Sequence, residues 1–178
     1  MLNKKRGQIW IETVLYTLIG MTLIGVVLAF VTPKINESKD RLLIEQNIQA
    51  LNAIDEKVTA VLTAPGNVRQ LDFAMKKGAF YINSTQDVVI FVIEGLNKPY
   101  SEPEVEIEIG KIKLLTTKNQ DSFTVRLKTT YAENLVYDLQ NQDKKFDAVS
   151  LPYRFSVSNE GVLASGRTTI NVRELSGT

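Results

Sequence analysis

The stretch from Thr13 to Val31, TVLYTLIGMTLIGVVLAFV, runs for 19 residues without a charge. Wound as an α-helix at about 1.5 Å per residue it is about 29 Å long, close to the roughly 30 Å apolar thickness of a bilayer. Core helices of soluble proteins rarely run this far without one charge, so the stretch reads as a membrane-spanning helix. Lys4, Lys5 and Arg6 precede it. Cations flanking a span stay on the cytoplasmic side, which places the remaining chain outside the cytoplasm. A secretory signal carries a shorter apolar stretch, of roughly 7–15 residues, and then a small-residue cleavage site. Thr32-Pro33-Lys34 offers no such site, so the helix is expected to be retained.

Glu12 lies at the start of this segment, behind Ile9, Trp10 and Ile11. A carboxylate in a membrane helix costs roughly 2.5–3.5 kcal/mol at the bilayer centre and less toward an interface. One account is that Glu12 snorkels to the headgroups. Another follows if the chain is cut between Gly7 and Gln8. The new α-amino group on Gln8 then lies four residues before Glu12 on the same helical face, and cation and anion can pair within or between subunits.

Lys4-Lys5-Arg6-Gly7-Gln8, with Glu12 at the fifth position after the cut and about 20 apolar residues following, resembles the class III signal peptide of archaeal type IV pilin-like proteins. The resemblance covers about the first 31 residues. It departs from the family in Ile9 and Trp10, where small residues often follow the glutamine, and in Arg6, which separates the paired lysines from Gly7. It implies that a prepilin peptidase cuts after Gly7 on the cytoplasmic side, removing the basic leader and keeping the helix. It implies a homopolymer whose helices pack as a filament core at the cell surface, built by a pilus assembly machinery, with Glu12 acting in extraction or assembly. The cut removes three cations and leaves 18 positive against 20 negative residues, a net charge of −2. A plainer alternative is a single-span anchored surface protein that binds a partner without polymerising.

Beyond the apolar segment, Pro33 removes a helical hydrogen bond, so a bend or break is expected there. Ile44, Ile48, Leu51, Val58 and Leu62 then recur at helical spacing, and Ile54 and Val61 widen the stripe. Glu45, Asn52, Glu56 and Lys57 take the other faces, and Ala64-Pro65-Gly66-Asn67 ends the helix. Such a stripe packs against the protein's own sheet or against neighbouring stalks. Gly20 and Gly25 are five apart and do not form the four-residue glycine spacing of close membrane pairs.

The remainder reads as β-rich. Val88 to Ile93 is an unbroken β-prone apolar run, expected as a central strand. Phe123, Val125 and Leu127 alternate with polar residues, as do Tyr153, Phe155 and Val157, and Ile170 and Val172. Asn159-Glu160-Gly161 and Ala164-Ser165-Gly166 read as turns. Near Gly110 the apolar phase shifts from odd to even positions. A two-residue Gly110-Lys111 turn pairing Ile109 with Ile112 and Glu108 with Lys113 accounts for this, and so does a bulge. The expected fold is α+β. Residues 1–7 form the leader, 8–32 the apolar helix, 33–64 an amphipathic stalk helix and 65–178 an antiparallel β-rich head.

The composition narrows the chemistry. Of 178 residues 44% are apolar and 23% charged, as in folded proteins. Lysine plus arginine number 21 against 20 acidic residues, which gives no reason to expect nucleic acid as a partner. Histidine and cysteine are both absent, which removes most transition-metal sites, Ser-His and Cys catalysis, and disulfides. No phosphate-binding loop, dinucleotide fingerprint or serine-nucleophile motif occurs, and no enzyme, cofactor or metal site is expected. Glu102, Glu104, Glu106 and Glu108 would share one strand face, as a calcium ligand set or, more simply, a solvated face that opposes edge pairing. Asn36-Glu37-Ser38 and Asn83-Ser84-Thr85 match the N-glycosylation sequon.

Overall fold

The computed structural model describes residues 4–162 and 166–175, with side chains from residue 10 onward. One helix, α1 (Lys4–Val61), opens the chain and ten strands follow it. Of the bend or break expected at Pro33, the break is absent: α1 runs through it. Proline forfeits one rung of the ladder, and the turns on both sides keep theirs. A compact unit begins at Asp40 and takes in the last part of α1 and all the strands.

Strands β1 (Val68–Phe73), β9 (Tyr153–Val162), β10 (Thr168–Glu174) and β7 (Asn134–Tyr137) form one sheet in that order. The other sheet runs β4 (Glu106–Ile109), β5 (Ile112–Lys118), β6 (Phe123–Thr130), β3 (Val88–Leu96), β2 (Ala79–Asn83) and β8 (Lys144–Asp147). All pairings are antiparallel except β7 with β10, which is parallel. The apolar run at Val88 is the central strand β3, held between β6 and β2. Its odd residues Val89, Phe91 and Ile93 are buried, while Ile90 and Val92 on the other face are half-buried.

The inner faces of both sheets share one core with α1. Phe73 and Phe155 of the first sheet meet Phe80 of the second at ring separations of 5.2 and 5.9 Å, both edge to face. Ile44, Leu51, Ile54, Val58 and Val61 of α1 are buried in the same cluster, so the helical stripe packs on its own sheets. Leu62, expected at the end of that stripe, lies past the last helical residue and is exposed. Asp40 accepts from the backbone and side-chain nitrogens of Asn97 at 3.1 and 3.0 Å, and Asp55 pairs with Lys111 at 3.0 Å. These contacts flank the buried stripe with polar ties.

Three local expectations resolve at the backbone. Gly110-Lys111 forms the two-residue turn, with Ile109 opposite Ile112, Glu108 opposite Lys113 and Gly110 at φ +62°. Asn159-Glu160-Gly161 is not a turn but a bulge inside β9, where the register with β10 shifts and Gly161 takes φ +80°. Glycine tolerates that left-handed conformation, and the bulge absorbs an extra residue without ending the strand. Ala164 and Ser165 of the other expected turn lie outside the described residues. The four glutamates do not share a strand face. Glu102 and Glu104 precede β4, Glu104 is left-handed at φ +62°, and only Glu106 and Glu108 alternate on the strand. Pro103 between them cannot donate to a ladder, which delays the strand.

Candidate membrane and assembly segment

An α-helix satisfies its backbone within itself, which is the condition for placing a segment in lipid. Residues 10–31 add side chains that ask for little else. Thr17, Thr22 and Thr32 donate their hydroxyls back to the carbonyls of Thr13, Leu18 and Leu28 at 2.8, 2.8 and 2.7 Å. From Trp10 to Val31, 15 large apolar side chains stand exposed, Trp10 at 70%. They surround the helix instead of lining one stripe, so no face suits water. At about 1.5–3 kcal/mol for each such side chain, covering them is worth on the order of 20 kcal/mol or more. The helix is long and apolar enough to cross a membrane, and none of its most apolar stretch is buried.

A Cβ built on Gly20 or Gly25 would meet nothing within 4 Å, so no neighbour in the chain requires either glycine. Glu12 is exposed on α1, immediately before the uncharged stretch that starts at Thr13. Lys4, Lys5, Arg6, Gly7 and Gln8 have helical backbone, but their side chains lie outside those described.

The other candidates are dispersed. Asn36 is exposed on α1. Asn83 is half-buried at the end of β2, where its Oδ1 accepts from the Gln86 backbone at 2.8 Å and Ser84 is buried against the Gln142 carbonyl. Glu106 and Glu108 both face Lys113, at 3.1 and 3.7 Å. The hydrogen bond to Glu106, then the charges of both glutamates, hold the Lys113 ammonium above its ordinary value. Among the described residues no group of three or more carboxylates is placed to hold a metal ion. Sequence reasoning missed β2 and β8, whose outward residues Tyr81, Lys145 and Asp147 border a depression on the six-stranded sheet. The signal was present in the Ala79-Phe80-Tyr81-Ile82 run beside Gly78.

Compared with known protein families, curated proteins and solved structures, the chain matches none of them.

Proposed function

We propose that this chain is a structural, non-catalytic subunit of an extracellular type IV pilus-like filament. A prepilin peptidase cuts it between Gly7 and Gln8. The membrane holds the processed helix until an assembly machinery packs it with its copies, and the β-rich head is displayed at the cell surface, where filaments serve adhesion. The observation that carries this reading is an apolar helical segment, none of whose most apolar stretch is buried, preceded by Lys4-Lys5-Arg6-Gly7-Gln8 and bearing Glu12. Exposed apolar surface on this scale needs a cover, lipid before assembly and sister helices after it. A plain anchor would need neither the Gly-Gln junction nor the acidic residue.

In this reading Glu12 neutralises the Gln8 amine of an adjoining subunit. Removing one partner of a buried ion pair costs roughly 3–5 kcal/mol, because the other charge is left uncompensated. Glu12→Gln should therefore still start at Gln8 by N-terminal sequencing and remain in the membrane, yet give few or no filaments in electron micrographs of sheared surface material. A wild-type protein that keeps Met1 removes the processing claim. Abundant normal filaments from Glu12→Gln remove the pairing claim alone.

A further inference from the structure

On the outer face of the six-stranded sheet, Ala79 of β2 lies directly between Val92 of β3 and Asp147 of β8. Its short side chain, with Gly78 beside it, leaves a depression of about 320 Å³. That is near the lower end of the roughly 300–1,000 Å³ usual for small-molecule sites. Gly78 is fixed by the backbone. It sits at φ +94°, and a Cβ there would lie 2.2 Å from the Val92 carbonyl oxygen. Around this floor stand Tyr81, Glu94, Lys145 and Asp147. Tyr81 is opposite Lys145 across one strand pair and opposite Ile90 across the other.

We propose that this depression binds a neutral saccharide. The lining determines the class. Two carboxylates face one ammonium, and Lys145 is already paired with Asp147 at 2.8 Å, so an anionic ligand meets net repulsion. Charged walls leave unsatisfied groups against a wholly apolar ligand. The backbones of β2 and β3 are used in ladders on both sides, so an added peptide strand has no edge to pair with at the floor. Hydroxyl groups suit what remains. They donate to Glu94 and Asp147 and accept from Lys145, whose ammonium is held above its ordinary value chiefly by the hydrogen bond to Asp147. A sugar ring also has an apolar C–H face, which the ring of the half-buried Tyr81 can cover. The site lies wholly within the head and does not depend on polymerisation.

The test uses the full chain in a zwitterionic detergent without sugar headgroups. Maltotriose, cellotriose, mannotriose and chitotriose are titrated by calorimetry and saturation-transfer NMR, with sialyllactose as the anionic comparison. At least one neutral trisaccharide should bind with a Kd on the order of a millimolar or tighter, and sialyllactose at least about tenfold more weakly than the best of them. Tyr81→Ala should weaken the best binder at least about tenfold, and Tyr81→Phe, which keeps the ring, by less than about threefold. No binding of the four up to about ten millimolar overturns the site, and so does unchanged binding by a folded Tyr81→Ala. Sialyllactose bound as tightly as the best neutral sugar overturns the ligand class. If Tyr81→Ala does not fold, Asp147→Asn on the exposed strand takes its place, with the same loss expected and unchanged binding again fatal.

Discussion

Asn159, 2% exposed, sits where three segments of the head converge. Its Nδ2 donates to the Val61 carbonyl at 3.0 Å, satisfying one of the acceptors that α1 leaves open at its end. Its Oδ1 accepts from the Gly161 amide at 2.9 Å and so shapes the bulge. Its backbone exchanges hydrogen bonds with Gly66 and Asn67 at 2.7 and 3.0 Å, tying down the loop before β1. Each buried group stranded by losing the side chain costs about 1–3 kcal/mol, so Asn159→Ala should lose about 2–5 kcal/mol in urea unfolding. Tyr131 is the opposite case, a buried hydroxyl with no hydrogen-bond partner among the described residues. Desolvation, and then the charges of Asp55 and Glu133, push its pKa above the ordinary 10.0. The folded state thus favours the neutral phenol, and stability is complete below the unfolded value and falls as pH rises through the folded one. Tyr131→Phe should be as stable as wild type or more so at neutral pH, and should lose less stability between about pH 9 and 11. An unchanged alkaline slope in thermal melts would assign that loss to Tyr137 and Tyr153, whose pKa values burial also raises.

At the scale of elements, the stripe on α1 shows what periodicity can and cannot reveal. Leu51 and Leu62 both fit the helical spacing, yet Leu51 is fully buried and Leu62 is 36% exposed. Leu51→Ala should cost about 2–5 kcal/mol, as a large-to-small change in a packed core. Leu62→Ala should stay within about 0.5 kcal/mol, as at an ordinary surface position. Equal losses in urea unfolding would mean that the helix continues past Val61 in solution. The spacing was legible because a helix repeats every 3.6 residues, and the breakers Ala64-Pro65-Gly66-Asn67 placed the stop to within a few residues. The cap that Asn159 gives the Val61 carbonyl, however, comes from nearly a hundred residues away. Likewise the Gly110-Lys111 turn was legible from a phase shift within eight residues. Asn159-Glu160-Gly161 carries the same turn chemistry and is a bulge, because β10 pairs on both sides of it. The strands β1, β2, β7 and β8 went unread. They are four to six residues long, and a short strand shows too few alternations to stand out.

For the whole molecule, the long apolar helix was legible because it depends on composition and order along the chain. The depression at Tyr81 was not, because its walls come from β2, β3 and β8 and meet only through pairing. The same division sets what each part needs from its surroundings. Among the described residues, the shared hydrophobic core runs from Ile44 to Val172. A compact unit begins at Asp40, and Asp40 itself is held by Asn97 and lies 3.9 Å from Lys77. A chain that starts at Lys34 should therefore fold without detergent and remain soluble, showing both helix and strand by circular dichroism and a single cooperative melt. Within the same buffer the full chain should require lipid or detergent, since its 15 exposed apolar side chains between Trp10 and Val31 have no cover in water. The shortened chain should also fail to enter filaments when expressed in place of the full one, although its head is intact. If it aggregates or melts without cooperativity, the head depends on the apolar helix for its fold. If it is folded and still polymerises, assembly runs through the head, and the helix is an anchor alone.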